Sequence, residues 1–374
     1  MAECLADGSA GPAAVLAIDG GNSKTDVALV AEDGTLLASL RGPGTNQEEH
    51  GVGKAMRILG DLVRAAATQA GVTGARVARH TSACLAGADL PEEEEQLTGA
   101  LLRQGWSETA IAVNDTFAVL RAGLRGDGPG GDGPGGDGPG GGQVGIGLGR
   151  GGRPWGVAVT CGAGINCVAV APDGRTARYL ALGTLTGDWG GGWGLGQEVM
   201  WHAMRAEDGR GAQTALASAV AAYFGLASVT EVAIAVHKGQ LAEDDLLRLT
   251  TVLFTVADGG DQVARDLVAR QASEVCLMAT TAMRRLDLLP SGTPVVLGGG
   301  LLEARHPLLA GEIDRLLAAA APGAVVRVVD VPPVAGAALL GLDHIGADVC
   351  AETHLLDMFA VHGPAIAEDS TGRC

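Results

Sequence analysis

Asp19-Gly20-Gly21-Asn22-Ser23-Lys24-Thr25 stands between two strand-like runs, Val15-Leu16-Ala17-Ile18 before it and Val27-Ala28-Leu29-Val30 after it. A short polar stretch between apolar runs predicts a tight hairpin. Its two glycines let the backbone approach an anion and turn N–H groups toward it. The hydroxyls of Ser23 and Thr25 and the ammonium of Lys24 are expected to add donors on the same side. Asp19, at the strand end, would repel phosphate by itself and makes best sense as an outer ligand of Mg²⁺. The spacing is not that of a Walker A loop, and a strand rather than a helix follows. The same string also suits an ordinary hairpin turn.

A second copy of the arrangement strengthens the phosphate reading. Val157-Ala158-Val159-Thr160 runs into Cys161-Gly162-Ala163-Gly164-Ile165-Asn166, and Cys167-Val168-Ala169-Val170 leads out to Pro172-Asp173-Gly174 and a third strand. The first copy likewise passes Glu32-Asp33-Gly34 to a strand at Leu36–Leu40. Beyond it, periodicity predicts a helix at Val52–Ala70, a strand at Val77–Leu85, a helix at Pro91–Gln104, a strand at Ala110–Asn114 and a helix at Thr116–Leu124. Beyond the second come several helices, a strand at Pro294–Leu297, a helix at His306–Ala319, a strand at Val325–Asp330 and a helix at Pro333–Leu342. The chain reads as two β-β-β-α-β-α-β-α lobes, each opened by a Gly-rich hairpin.

Length and charge agree with this. A chain of 374 residues suits two domains, each able to bury a core. Lys+Arg 26 against Asp+Glu 43 gives a formal charge of −17, which argues against nucleic acid or an anionic membrane as partner. An anionic ligand must then be held locally, by backbone N–H groups and a metal. The acidic start Met1–Gly11 lacks a signal-peptide pattern, and no stretch long enough to span a bilayer is free of polar residues. Seven scattered cysteines without Cys-x-x-Cys pairs suggest a reduced, cytoplasmic protein without structural zinc.

The Gly-Asp-Gly-Pro repeat at Gly126–Gly142 is low-complexity, reads as a linker or surface loop, and marks the end of the first lobe. Pro91 followed by Glu92–Glu95 suits a helix N-terminus, and Ser228-Val229-Thr230-Glu231 fits a capping box. Asp115 closes a strand and starts a helix, so an N-cap is one reading. The other is a carboxylate at a strand C-terminus, facing a cleft, that accepts a proton from a substrate hydroxyl.

Asp-Gly-Gly-x-Ser-Lys-Thr, Gly44-Thr45-Asn46, Leu85-Ala86-Gly87-Ala88, Asn114-Asp115, Gly162-Ala163-Gly164-Ile165-Asn166-Cys167, Gly187-Asp188 and Val296-Leu297-Gly298-Gly299-Gly300, in that order, resemble the N-acetylglucosamine kinases. These belong to the BadF/BadG-type ATPases of the actin, hexokinase and Hsp70 superfamily. The resemblance spans Val15 to Leu342 and implies an α/β, two-lobed actin-like (ribonuclease H-like) fold that uses ATP and Mg²⁺. It implies that Asp19 is the Mg²⁺-linked acid and that Gly20, Gly21, Asn22, Ser23, Lys24 and Thr25 form the first phosphate loop. By the same comparison Gly162 and Gly164 form the second, and Gly298, Gly299 and Gly300 the adenosine loop. Asp115 would take the proton from the sugar 6-hydroxyl, with Asn46, Gly87, Asn166 and Asp188 beside the sugar. Taken alone, Asn46 suits a turn, and Asp188 a turn or N-cap.

The implied organisation is an N-terminal lobe over 1–125, the repeat at 126–142, a C-terminal lobe over 143–332, and a returning helix and tail over 333–374. The oligomeric state stays open, a homodimer included. Relatives often carry Ser-Gly-Thr-Gly-Ser-Asn at the second loop, so Cys161-Gly162-Ala163-Gly164-Ile165-Asn166 lacks two hydroxyls. After Gly187-Asp188 they commonly continue Glu-Gly-Ser, whereas this chain has a Gly/Trp loop, Trp189-Gly190-Gly191-Gly192-Trp193-Gly194-Leu195-Gly196. Its tryptophans suit equally a stacking platform for a sugar and an anchor in the core. The expected activity is phosphorylation of the 6-hydroxyl of an amino sugar, N-acetylglucosamine first, with glucosamine or another hexose derivative as alternatives. An ATPase that activates a partner enzyme is the rival from another class. A kinase-derived sugar-sensing regulator ranks last, because no helix-turn-helix or basic region precedes Val15.

Overall fold

The computed structural model describes residues 12–47, 51–124, 154–361 and 365–366. The start Met1–Gly11, with Cys4, the repeat Gly126–Gly142 and the last residues through Cys374 lie outside them. Chain packing separates two units: one draws on residues up to 156, 170–176 and 329 onward, the other on 157–169 and 177–328.

The first unit opens with β1 (Ala13–Gly20), β2 (Lys24–Val30) and β3 (Leu36–Pro43), an antiparallel meander. Then follow α1 (Val52–Gln69), β4 (Ala78–Leu85), α2 (Pro91–Gln104), β5 (Thr109–Asn114) and α3 (Thr116–Gly123). β4 lies parallel to β1, and β5 parallel to β4. β1 is buried along its whole length, as its uninterrupted apolar run requires of a strand covered on both faces. α2 starts as its sequence predicts, with Pro91 in the first turn and the Glu93 carboxylate accepting from the Asp89 and Leu90 N–H groups.

The second half contributes β6 (Gly156–Cys161), β7 (Ile165–Val170), β8 (Thr176–Arg178) and the helices α4 (Gly191–Glu207), α5 (Leu216–Tyr223), α6 (Val229–His237), α7 (Leu249–Asp258) and α8 (Gln262–Arg285). β9 (Pro294–Gly298), α9 (Gly300–Glu303), α10 (Pro307–Ala320) and β10 (Val325–Val328) complete it. Ser228 caps α6, its hydroxyl accepting from Glu231 N at 3.2 Å. The strand order β10-β9-β6-β7-β8 repeats the order β5-β4-β1-β2-β3 of the first sheet, so the duplication read from the two glycine hairpins is present in the topology. The expected Gly/Trp loop is replaced from Gly191 onward by the first turns of α4. The reason is steric: a Cβ on Gly196 would stand 2.3 Å from Leu246 O and one on Gly192 2.9 Å from Leu247 Cγ, so the glycines let a helix lie against the Glu243–Arg248 turn.

The chain then returns to the first unit as α11 (Pro333–Ile345), α12 (Val349–Val361) and the short edge strand β11 (Ala365–Ile366), which pairs with β3. Every residue from Val334 to Leu342 is buried, because this helix lies on β1 and β4 and against α3. A Cβ on Gly336 would stand 1.9 Å from Ala118 O, and one on Gly341 2.4 Å from Val15 Cγ1. Arg121 of α3 is buried and ties the segment down, donating to Asp343 at 2.8 Å, Glu352 at 2.7 Å and the Leu124 carbonyl at 3.0 Å. Among the described residues no helix is long and apolar enough to cross a membrane.

Two glycine-to-alanine substitutions separate packing from propensity. Gly336→Ala forces a methyl into the α3 backbone and is expected to destabilise by about 1–3 kcal/mol. Gly311→Ala, in α10 with open space around it, is expected to stabilise by up to about 1 kcal/mol. Thermal unfolding of the two variants beside the parent checks both signs.

Candidate active site

The register of the first sheet brings its chemistry to one edge. Asp19 pairs with Cys84, Gly20 with Leu85 and Leu85 with Asn114, so β1, β4 and β5 end together and Asp115 follows at the same edge. Burial, with Asp115 and then Asp26 beside it, pushes the Asp19 carboxyl up to about 8. Burial raises that of Asp115 to about 6, against the lowering effect of hydrogen bonds from Thr116. Asp115 occupies the N-cap position of α3 without a side-chain cap bond, and the Asn114 carboxamide oxygen accepts from Thr116 N at 2.9 Å instead.

Sequence reading missed the group that answers this negative charge. Asp26 lies across from Asp19 and Arg41 across from Asp26, placing all three on one face of β1, β2 and β3. Asp26 is fully buried and accepts from Arg41 Nε at 2.7 Å and Nη2 at 2.8 Å, with Lys24 Nζ at 3.4 Å. Both cations lower the Asp19 carboxyl. Counting back from the Glu32-Asp33-Gly34 turn would have set Asp26 opposite Leu40, and a register shift between Leu29 and Val30 brings Arg41 there instead.

Within the first hairpin, Gly21 N–H donates to the Lys24 carbonyl at 2.9 Å, leaving Asn22 and Ser23 exposed at the tip. Thr25 departs from the expected row of donors: it is buried, and its hydroxyl is bonded to that of Thr45 at 2.8 Å. Gly44-Thr45-Asn46 clamps the loop, with Thr45 N donating to Gly21 O and Asn46 Nδ2 to Asn22 Oδ1 at 2.9 Å. A Cβ on Gly20 would meet Leu85 and Thr45 at 2.6 Å, so packing alone demands that glycine. Gly87 has φ 76° and its carbonyl accepts from Gln47.

The second hairpin differs. Gly162 and Gly164 have nothing within 4 Å of where a Cβ would stand, and Gly300 is as open. Neither contact nor positive φ explains these three glycines, and the space beside them is free for a ligand. Gly299 has φ 85° and lies against the Cys161 backbone. The Gly162 and Ala163 carbonyls accept from Gly192 N at 2.8 Å and Trp193 N at 2.9 Å, anchoring the loop on the first turn of α4. Asn166 Oδ1 accepts from Cys167 N at 2.7 Å. Asp188 accepts from the Thr186 hydroxyl at 2.6 Å and lines a cleft of about 810 Å³ together with Gly164, Trp189 and Trp193.

A buried carboxyl that is half protonated near pH 8 is ionised at neutral pH only with a cation beside it. Among the described residues no group of three or more His, Cys, Asp and Glu side chains is arranged to hold a metal. As a buried oxygen donor with acidic neighbours, Asp19 has the chemistry that a hard divalent cation takes.

A family model, the BadF/BadG/BcrA/BcrD ATPase family, matches residues 144–341, more than half of the chain. The chain is 23% identical over 291 residues to the N-acetylmuramic acid/N-acetylglucosamine kinase of Clostridium acetobutylicum, covering 77% of this chain and 85% of that protein. To the N-acetyl-D-glucosamine kinase of Dictyostelium discoideum it is 22% identical over 342 residues, 88% of this chain and 97% of that one. Among solved structures, a proposed N-acetylglucosamine kinase from Chromobacterium violaceum matches with a TM-score of 0.62 at 22% identity, over 87% of this chain and 98% of that chain. That likeness shows the fold, a duplicated actin-like α/β architecture.

Removing Arg41 leaves the Asp26 carboxylate buried without its main partner. Arg41→Met is expected to cost about 1–3 kcal/mol, and adding Asp26→Asn should recover part of the loss. A double-mutant cycle by urea unfolding measures the coupling, and additive losses would show that the pair does not act as a unit.

Proposed function

The chain belongs to the BadF/BadG/BcrA/BcrD ATPase family, and from that premise we propose that it is a sugar kinase transferring the γ-phosphoryl group of ATP to the 6-hydroxyl of an amino sugar, N-acetylglucosamine being the first substrate to test. The observation that supports this best is the pair Asp19 and Asp115 at one edge of the parallel strands, with Asp115 at the N-cap position of α3 but making no side-chain cap bond. In this reading the sugar oxygen attacks the γ-phosphorus, its proton passes to Asp115, and the bond to the bridging oxygen breaks to release ADP. A carboxyl poised at about 6 is ionised at pH 7 and is a stronger base than an exposed aspartate.

Asp19 would hold Mg²⁺, which neutralises phosphate charge when bound. Lys24, with Asn22 and Ser23 at the hairpin tip, would face the terminal phosphates, and Gly162, Gly164 and Gly300 admit the nucleotide where no side chain intrudes. Asn46, Gly87, Asn166 and Asp188 are the proposed neighbours of the sugar. Glucosamine and other hexose derivatives remain alternatives within the same reading. The partner-activating reading needs thiols that reach a shared cluster, yet Cys161 and Cys167 are buried in β6 and β7. Burial pushes the Cys161 thiol up to about 12 and that of Cys167 higher still.

Asp115→Asn is expected to lower kcat by about 10²-fold or more with nucleotide affinity retained, measured as ADP release with phosphosugar mass. An unfolding temperature that falls while turnover per folded molecule persists would return Asp115 to a structural role. The pH dependence has a definite sign. Below about 6 the Asp115 carboxyl holds a proton and cannot accept another, so kcat/KM should rise with pH through that value and then level off.

Asp19→Asn should raise the Mg²⁺ concentration for half-maximal rate and lower kcat. A Mg²⁺ titration superimposable on that of the parent, at equal kcat, would remove Asp19 from the metal site.

A further inference from the structure

One face of α4 carries Trp193, Gln197 and Trp201 one turn apart, beside Gly194, Glu198 and His202, all lining the cleft of about 810 Å³. The other face, with Leu195, Val199 and Ala203, is buried in the core. Tryptophans at helical spacing usually belong to the core, but here they are on the open side, and Trp201 is 53% exposed. Trp189 forms a wall whose orientation is fixed twice: its Nε1 donates to Glu198 Oε1 at 2.9 Å, and the Arg270 guanidinium stacks over its ring at 3.9 Å. Gly194 adds an independent mark. A glycine inside a helix costs about 1 kcal/mol relative to alanine, and nothing within 4 Å of its absent Cβ explains its presence. The space in front of it opens into the cleft.

We propose that this cleft is a saccharide subsite that takes a second, uncharged sugar ring attached to the amino sugar being phosphorylated. The proposal rests on the sugar-kinase reading and extends it from a single ring to a disaccharide. The cleft begins at Gly164 and Asp188, which that reading sets beside phosphate and sugar, so a second ring there would adjoin the sugar at Asp188 within the same unit. Indole faces match the apolar C–H faces of a pyranose, while Gln197 and Glu198 offer hydrogen bonds at its rim. The volume lies at the upper end of the roughly 300–1,000 Å³ of small-molecule sites, more than one hexose needs. Charge selects a neutral occupant. Arg270 is already faced by Glu198 at 3.8 Å and Glu274 at 4.0 Å, and Asp188 adds a further negative charge. Beside Asp188 a carboxylate-bearing substituent would meet repulsion, while the Arg205 guanidinium stacks over the Trp201 ring at 4.5 Å.

The test reads binding and turnover separately. Tryptophan fluorescence and saturation-transfer NMR are recorded while the protein is titrated with N-acetylglucosamine, its β-1,4-linked dimer and N-acetylmuramic acid, without nucleotide. The dimer is expected to bind about tenfold tighter than the monosaccharide, a difference of about 1.4 kcal/mol, and the acidic sugar no tighter. Trp201→Ala should remove the advantage of the dimer and leave monosaccharide affinity unchanged. Gly194→Ala should raise thermal stability while weakening the dimer, whereas a merely structural glycine would lose stability. A dimer bound no better than the monosaccharide, or an equal loss for both in Trp201→Ala, overturns the proposal. Turnover with MgATP keeps the two readings apart. Phosphorylation of N-acetylglucosamine with no binding of the dimer sinks the subsite alone, and Trp201-dependent binding of the dimer with no sugar phosphorylated sinks the kinase reading alone.

Discussion

Asp19 is a carboxylate at the end of a strand buried along its whole length, with Asp26 on one side and Asp115 near it, and the first sheet is arranged around that charge. Burying an unanswered carboxylate costs several kcal/mol. The answer comes from one cross-strand row: Arg41 grips Asp26 through two hydrogen bonds, Lys24 approaches the same carboxylate, and both cations act on Asp19. Compensation is incomplete, since the Asp19 carboxyl is still held at about 8. An incompletely compensated buried carboxylate is an expensive feature for a fold to keep, and it is the property that a divalent cation with phosphate ligands would relieve.

The glycines divide by cause. Gly20 and Gly44 are required by the close packing of the first hairpin, where a Cβ on Gly44 would lie 1.9 Å from Asn22 O. Gly299 and Gly191 are required by contact with backbone and by positive φ. Gly162, Gly164, Gly300 and Gly194 face open space, and the fold gives no reason for them. Two hairpins that look alike as strings therefore differ: the first is a clamped structure with a small exposed tip, the second an open rim whose carbonyls are spent on the start of α4. The loss of two hydroxyls at the second loop falls on a rim where no side chain intrudes beside Gly162 and Gly164.

α4 turns the departure from the family pattern into a surface. Its glycines on one side let it press against the Glu243–Arg248 turn, and its tryptophans on the other side stay out of the core. Of the two tryptophans of the Gly/Trp stretch, Trp189 precedes the helix and Trp193 lies in its first turn, and both line the cleft. Trp193 and Trp201 share the open face.

The sequence by itself determined the repeated hairpin-and-strand order, most element positions within a few residues, and the gathering of Asp19, Asn114 and Asp115 at strand ends. It could do so because apolar runs, turn residues and caps such as Ser228 and Pro91 act within a few residues of one another. Only tertiary structure decided the rest. That Arg41 answers Asp26 and that Thr25 bonds inward to Thr45 depend on strand register and on residues brought together from distant positions. The same holds for the Gly/Trp stretch: local propensity predicts a loop, but a helix forms because neighbouring backbone comes within reach only of residues that lack a Cβ. Local chemistry specifies elements, whereas charge compensation and close approach are properties of pairs that the chain order keeps apart.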